Sequence, residues 1–206
     1  MTVIIYLVND SRIWSVHMKV SREQVAEHHR RIVGAAGKLF REKGFDGVGV
    51  ADIMKSAGLT RGGFYGHFAS KEDLVAQACA GAANVDTWLA VTARAPKNPL
   101  AAIVSFYLSA RHRDHPETGC LFASLGPEVA RQQGGVRRAF TDGLRTRLDF
   151  LAEIVTGRSK AAKRRKAITT MSALVGALVL ARAVDDPSLS DEILRATAAN
   201  FSAKSN

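Results

Sequence analysis

The stretch Val50 to Phe68, V-A-D-I-M-K-S-A-G-L-T-R-G-G-F-Y-G-H-F, decides the fold of this chain. Apolar residues recur at helical spacing in its first part, at Val50, Ile53, Met54 and Ala57. Gly58 has no Cβ and therefore suits the left-handed residue that ends a helix. Thr60 is a suitable N-cap for a second short helix. The order predicts a helix-turn-helix, whose second helix lies in the DNA major groove.

Helices are also predicted on both sides of this motif. Ser21 and Gln24 have the spacing of a capping box, and Gly44 follows Lys43, so a helix over residues 21–43 is expected. Ser70 is the expected N-cap of a helix that opens at Lys71. The apolar faces of these elements predict one small core, made of Ile32, Leu39, Phe40, Phe45, Ile53, Leu59, Phe64 and Phe68.

The remainder of the chain has helical periodicity and little sign of sheet. The predicted helices are Lys71 to about Val91, Leu100 to His112, Leu121 to Arg131 with a break at Gly126-Pro127, Gly135 to Val155, Ile168 to Val184, and Ser190 to Phe201. Residues 157–166 are polar and basic, and we interpret the run Lys160, Lys163, Arg164, Arg165, Lys166 as a solvated segment between helices rather than a second DNA patch. The fold class is therefore all-α.

The amino-acid composition gives only weak evidence about the class of function. The net charge of +10 favours a polyanionic partner, but eleven basic and eight acidic residues lie in residues 1–75, against eighteen and eleven in residues 76–206. The excess is thus not concentrated in the proposed DNA-reading half. No apolar run reaches the roughly 20 residues of a membrane span, and Val3 to Val8 does not read as a signal peptide, so a cytoplasmic protein is expected.

The usual signatures of catalysis and metal binding are missing from the sequence. Cys79 and Cys120 form neither a disulfide framework nor a metal spacing. His112 and His115 are sequence neighbours without helical metal-ligand spacing. No nucleophile-base set and no phosphate-binding glycine loop is evident. We expect no metal, no cofactor and no enzymatic activity.

Residues 1–17 differ from the remainder. Val-Ile-Ile-Tyr-Leu-Val has strand propensity, but no partner strand is evident downstream. Met18 precedes the first helix directly, so one interpretation is that it is the natural start and that the preceding residues are an extension that is not native. The alternative is an arm that packs on the body or reaches DNA. Arg12 is its only basic residue, which disfavours DNA contact.

The motif also carries a family resemblance. Ala-Gly-Leu-Thr at residues 57–60, Phe64-Tyr65, His67-Phe68 and Lys71-Glu72 with Leu74 together resemble the TetR family of bacterial transcriptional regulators. The likeness runs from about Ile32 to Leu74, and Gly119-Cys120-Leu121 with Glu128-Val129-Ala130 adds a weaker match to one branch. The resemblance implies an all-helical homodimer with a variable C-terminal domain that binds a small ligand. Gly49 and Gly66 depart from the family's usual residues.

Candidate DNA-binding residues follow from the helix start and from the resemblance. They are Thr60, Arg61, Gly62, Gly63, Tyr65, His67 and Lys71. The start of the reading helix offers free N–H groups to phosphate, and Arg61 is expected to bond a guanine edge or a phosphate. By resemblance, Tyr65 and His67 face DNA, although capping the small core is the alternative. Lys71 is expected at a phosphate, with Arg30 and Arg31 as weaker candidates.

Candidate ligand-binding residues are the bulky side chains of the C-terminal helices. They are Trp88, Phe106, Tyr107, Phe122 and Met171, and ordinary core packing is the alternative for each. Cys120 is a candidate redox switch, but no basic residue flanks it in the sequence to lower its pKa.

Together these patterns predict an extension over residues 1–17, a helix-turn-helix domain over 18–70, and a ligand-binding and dimerisation domain over 71–206. The expected function is a sequence-specific DNA-binding transcriptional regulator, a repressor released from its operator by a small molecule. Its expected partners are an operator duplex, a second copy of the chain and an unidentified effector, with no membrane. The alternative is a helical small-molecule binding protein that keeps the helix-turn-helix as scaffold.

Overall fold

Helix α1 (Arg22–Lys43) begins and ends as its sequence predicts. The Ser21 hydroxyl accepts the Gln24 amide at 3.1 Å, and the Gln24 side chain accepts the Ser21 amide at 2.9 Å, which completes the capping box. Gly44 ends the helix at φ +76°, and its amide donates to the Phe40 carbonyl. Because both ends are satisfied, α1 is a rigid element on which both halves of the molecule pack.

The structure, a computed structural model, describes residues 2–9, 12–19, 21–81 and 84–202, with side chains described for 21–81 and 84–201. After α1 the helices are α2 (Val50–Ser56), α3 (Lys71–Ala80), α4 (Asp86–Ala93), α5 (Pro99–Tyr107), α6 (Ala110–Asp114), α7 (Leu121–Val129), α8 (Gly134–Ile154), α9 (Lys160–Ala183) and α10 (Pro187–Ser202). Short 3₁₀ helices lie at Arg61–Gly66 and Pro116–Thr118. The all-α prediction is confirmed for the body that begins at residue 21.

One buried apolar core runs through this body. In the N-terminal part, six of the predicted core residues are buried. They come from α1, α2, the 3₁₀ helix Arg61–Gly66 and the turns that follow α1 and that 3₁₀ helix, and they are Ile32, Phe40, Phe45, Ile53, Phe64 and Phe68. Leu39 and Leu59 are partly buried against them. Helix α3 packs on α1 on one side and on α8 on the other, so it joins the two halves.

Several predicted helix boundaries were wrong, each for a local reason. The helix from Lys71 ends at Ala80 rather than near Val91, and a new helix starts after the Asn84 side chain accepts the Asp86 amide at 2.7 Å. The helix predicted over residues 100–112 is split, because the Ser109 hydroxyl caps α6 at His112. Helix α7 passes through Pro127 without a break. Pro127 has no N–H to donate to the Ala123 carbonyl, but this costs one backbone bond, and the helix ends two residues later.

The basic segment before Ile168 was also wrongly assigned, because it forms the first turns of α9. Arg164 pairs with Asp149 at 2.6 Å and Lys166 donates to Thr156 at 2.9 Å, so part of this run is bonded to α8 and to the loop that follows it. Helix α10 likewise starts at Pro187, three residues before the predicted Ser190 cap. The Ser190 hydroxyl instead donates to the Ala181 carbonyl within the core.

Helix α9 is long and apolar enough to cross a membrane by length and composition alone. It packs against α7, α8 and α10, and Ala167, Leu174 and Leu178 are completely buried. These contacts are those of the central helix of a bundle, which passes the same test of length and composition.

An antiparallel hairpin of β1 (Thr2–Asn9) and β2 (Arg12–Lys19) precedes α1. Its register pairs Thr2 with Lys19 and Asn9 with Arg12. The prediction that the first strand lacks a partner was therefore wrong, because the partner is the segment directly after it. The prediction that this segment packs on the body or reaches DNA concerns side chains outside the described residues.

Candidate DNA-binding surface and ligand cavity

The turn between the two helices of the motif contains the left-handed Gly58 that the sequence predicted. Gly58 has φ +68°, its amide donates to the Lys55 carbonyl at 2.9 Å, and the Leu59 amide donates to the Met54 carbonyl at 2.8 Å. This pair of bonds is the Schellman ending of a helix. Arg31 donates to the Ala57 carbonyl at the same helix end. Arg31, a weaker candidate for DNA contact, therefore holds the motif together.

The second short helix that was predicted, called the reading helix from here on, spans Arg61–Gly66 and is a 3₁₀ helix. Thr60 is its N-cap residue but forms no side-chain capping bond. Three glycines in six residues lower helix propensity, which gives a physical reason for the short, tight form. Thr60, Arg61 and Gly62 are exposed at its start, while Gly63 is buried. The start of the reading helix, with the Arg61 side chain, is therefore accessible to solvent.

Tyr65 and His67 lie in different surroundings. The Tyr65 side chain is 79% exposed, the largest exposure among the large hydrophobic residues of the described chain. His67 is half-buried, with its ring centroid 6.2 Å from those of His28 and His29. Its pKa is lowered, first by burial and then by these two histidines. Tyr65 thus projects from the surface, whereas His67 belongs partly to the edge of the core.

Aromatic packing holds the reading helix on the domain. Phe64 and Phe68 stack with centroids 5.5 Å apart, and His29 stacks on Phe68 at 4.7 Å. The His29 Nε2 atom lies 2.8 Å from Gln77, whose amide donates to Asp73 at 2.9 Å. The reading helix is therefore fixed to both α1 and α3.

Lys71 occupies a different place from the one expected. Its Nζ donates to the Phe45 carbonyl at 2.6 Å, and the side chain is half-buried. The amide of Phe45 donates to a Glu128 carboxylate oxygen at 2.6 Å. The turn after α1 is thus held from two sides, by α3 through Lys71 and by α7 through Glu128. A phosphate contact by Lys71 stays a prediction.

A cavity of about 270 Å³ lies where α1, α4, α5, α7 and α8 meet. Four of the five predicted ligand-binding residues line it, namely Trp88, Phe106, Tyr107 and Phe122. Met171 is buried in the core of α9 and is not among the lining residues. The aromatic predictions thus converge on one space, although they come from three separate helices, α4, α5 and α7.

Two arginines that were not singled out from the sequence also line the cavity. Arg41 comes from α1, and its Nε and Nη2 atoms donate to the Glu117 carbonyl at 2.9 and 2.6 Å. Arg147 comes from α8, lies 4.5 Å over the Trp88 ring and donates to the Asn84 carbonyl. Burial lowers the pKa of both guanidinium groups. No sequence signal marks either residue, because their helices meet only in the folded chain.

Tyr107 and His112 complete the polar lining. His112 donates from Nδ1 to the Tyr107 carbonyl at 2.7 Å and accepts the Cys120 amide at Nε2 at 2.9 Å, so both ring nitrogens are used. Burial lowers its pKa. The Tyr107 hydroxyl is buried and forms no hydrogen bond of normal distance and angle in the described chain, and its interaction with the Cys120 thiol falls short of that geometry. Burial raises the pKa of Tyr107, and the nearby Cys120 thiol raises it further.

Cys120 lines the same cavity and is not isolated from basic groups. Burial lowers the pKa of Arg41, Arg147 and Arg182, and the charge of Cys120 opposes that shift at each of them. The sequence shows no flanking base because these three arginines come from α1, α8 and α9. No group of three potential metal ligands occurs within residues 21–81 and 84–201.

Comparison with known proteins gives two matches to family models. Residues 32–78 match the model described as bacterial regulatory proteins, tetR family. Residues 96–197 match the model described as tetracyclin repressor-like, C-terminal domain. The first match covers the helix-turn-helix and α3, and the second begins just before α5 and ends within α10.

Curated relatives resemble only a short part of the chain. An uncharacterized HTH-type transcriptional regulator, YerO of Bacillus subtilis, is 40% identical over 53 residues, which are 26% of this chain and 18% of that protein. The HTH-type transcriptional regulator AcrR of Shigella flexneri is 33% identical over 57 residues, 28% of this chain and 26% of that protein. The chain therefore spans about a quarter or less of the length of these relatives.

Solved structures share the fold over nearly the full chain. A TetR-family transcriptional regulator from Cytophaga hutchinsonii superposes with a TM-score of 0.72 at 19% identity, covering 90% of this chain and 98% of that one. The reduced form of E. coli NemR gives 0.67 at 21% identity, covering 86% and 97%. At this identity the likeness concerns the fold alone.

Proposed function

Because the chain belongs to the tetR family of bacterial regulatory proteins, we propose that it represses transcription by binding an operator and that a small molecule releases it. The observation that carries the proposal is the reading helix. It exposes Thr60, Arg61 and Tyr65 to solvent, and Phe64 and Phe68 pack it on the apolar core. An exposed helix start with a basic side chain on a rigid support is the geometry that DNA reading requires.

The proposal includes a homodimer formed through α9 and α10. Ile168, Leu180 and Leu189 are 45%, 57% and 41% exposed there, although large apolar residues are usually covered. A second copy of the chain related by a two-fold axis covers the same residues on both partners. Two reading helices then enter successive major grooves about 34–36 Å apart.

Release by an effector is proposed to act through α1 and α7. The cavity is lined by Arg41 of α1 and by Leu121 and Phe122 of α7. The same two helices hold the turn at Phe45, through Gly44 and Glu128. A ligand that fits only one arrangement of these helices shifts the population of domain positions, and hence the spacing of the reading helices.

We test the proposal by selecting the genomic fragments that the purified protein retains. We expect the protein to retain a sequence with two-fold symmetry. The logarithm of its affinity should fall linearly with the logarithm of the salt concentration. In this view the protein works in the cytoplasm as a regulator and not as an enzyme. Retention of no preferred sequence favours the alternative, in which the helix-turn-helix is only a scaffold.

The residue-level test uses Arg61→Ala. Loss of a base or phosphate contact is expected to weaken operator binding by about 1–3 kcal/mol. The matched control is Arg137→Ala, an exposed arginine on α8, which should leave the affinity unchanged. Equal operator affinity of Arg61→Ala and the wild type in a gel-shift titration removes Arg61 from the reading surface.

A further inference from the structure

We propose that the cavity between α1, α5, α7 and α8 binds a small aromatic carboxylate, whose carboxyl group lies between Arg41 and Arg147. The inference deepens the proposed function, because it states the chemical class of the effector and rests on that function for its regulatory meaning. The binding chemistry itself is independent of DNA.

The first support is the charge inside the cavity. Two guanidinium groups line it, and the charged residues of the lining include no Asp or Glu. Arg41 uses two N–H groups on a backbone carbonyl and forms no ion pair within the described residues, so its positive charge has no counter-charge in direct contact. Burying a charge without a partner is costly, and a carboxylate ligand supplies the partner.

The second support is a set of hydrogen-bond donors on residues that line the cavity. Tyr107 is a lining residue, and its hydroxyl is buried and has no hydrogen-bond partner of suitable geometry in the described chain. Helix α7 begins beside it without a side-chain cap, and Gly119, Cys120 and Leu121 at that start are lining residues. An uncapped helix start carries free amides and a partial positive charge. Both features favour an acceptor that carries negative charge.

The third support is the shape and chemistry of the walls. Trp88, Phe106, Tyr107 and Phe122 provide aromatic surface, and Gly34 and Gly37 of α1 leave room on the opposite side. A volume of about 270 Å³ lies near the lower end of the range for ligand sites, about 300–1,000 Å³. A single-ring compound therefore fits this space better than an extended drug-like one.

The same contacts give the carboxylate a route to the DNA-binding half. Arg41 lies on α1, whose buried residues Ile32, Ala36 and Phe40 form the core under the helix-turn-helix. A carboxylate competes with the Glu117 carbonyl for the N–H groups of Arg41 and so alters the link between α1 and the Pro116–Thr118 turn. Differential binding of this kind is what a population shift requires.

The test uses Trp88 as a reporter. The chain contains two tryptophans, so a Trp14→Phe background leaves Trp88, a wall residue, as the only one. Benzoate and phenylacetate are titrated against their neutral amides and against benzylamine, with Trp88 fluorescence and calorimetry as readouts. Arg41→Met removes the charge, Arg41→Lys retains it, and Arg137→Met on the exposed face of α8 is the matched control.

The expected result is saturable binding of the carboxylates, with the amides weaker by about tenfold or more and the amine weaker still. Arg41→Met should lose about tenfold in carboxylate affinity, Arg41→Lys less, and Arg137→Met nothing. Three outcomes would each overturn the proposal. The amides bind as tightly as the acids, Arg41→Met keeps the carboxylate affinity of the wild type, or Trp88 fluorescence responds to neither acid. Operator retention by the ligand-free protein is measured separately, so a failed effector class is distinguishable from a failed DNA-binding function.

Discussion

The helix-turn-helix and the cavity domain use buried groups in opposite ways. In the first, Ile53, Met54 and Phe64 are fully buried, and the backbone groups at its turns are bonded to Arg31, Lys71 and Glu128. In the second, a tyrosine hydroxyl lies buried without a partner beside two desolvated arginines.

The difference follows from where each region functions. A DNA reader works on its outside, so its interior can be optimised for rigidity alone. A ligand domain works on its inside, and polar groups kept for a ligand reduce the stability of the free protein. Four measurements test this contrast, beginning with a substitution in the core of the helix-turn-helix.

Phe64→Ala tests whether packing on the apolar core holds the reading helix in place. Removal of this ring, 1% exposed, is expected to lower the free energy of unfolding by about 3–5 kcal/mol in urea denaturation. The neighbouring Tyr65→Ala, at a site 79% exposed, should stay within about 0.5 kcal/mol of the wild type. Equal losses for the two variants would contradict the assignment of Phe64 to the core and Tyr65 to the surface.

Gly58→Ala tests the backbone of the turn. An alanine at φ +68° is strained by about 1–2 kcal/mol, and its Cβ would lie 2.6 Å from the Arg31 guanidinium. Gly62→Ala is the matched control, because nothing lies within 4 Å of a Cβ there and its φ is ordinary. That variant should gain up to about 1 kcal/mol in unfolding free energy. The idea fails if both alanines shift stability in the same direction.

Tyr107→Phe tests the unpartnered hydroxyl. Removing a buried group that has no hydrogen bond should leave the free energy of unfolding unchanged or raise it by up to about 1 kcal/mol. Tyr65→Phe, on the surface, should change nothing. A clear loss of stability in Tyr107→Phe would mean that the hydroxyl has a protein partner after all, and that the two regions do not differ in this way.

The pH dependence of stability gives the smallest effect. Burial lowers the pKa of His67 in the first region and of His112 in the second from their ordinary value of 6.5. The unfolded chain therefore binds more protons than the folded one as the pH falls through 6.5, and stability decreases below that pH until the folded histidines also titrate. Urea midpoints measured between pH 7.5 and 5 should fall, and less steeply in His112→Gln. A midpoint that is constant over this window would contradict both shifts.

The two regions also differ in how much of them could be predicted from the sequence. Capping residues and apolar periodicity were sufficient to predict the boundaries of α1, the left-handed conformation of Gly58 and the burial of Phe64. Each of these features depends on residues that are near one another in the sequence. The 3₁₀ form of the reading helix was not predicted, since its glycines lower helix propensity without specifying what replaces the α-helix. Helix breaks at Gly81 and Leu108 also depended on local caps that the periodicity conceals.

The sequence by itself determined the helix-turn-helix, the all-α class and the aromatic residues that surround the cavity, because those signals are local. Only the tertiary structure brought Arg41, Arg147 and the Tyr107 hydroxyl to one cavity, and Lys71 and Glu128 to the two sides of Phe45. These residues are separated by tens of positions in the chain. Their meeting depends on which faces of α1, α3, α7 and α8 pack together, and the periodicity of a single helix does not specify which helix it packs against.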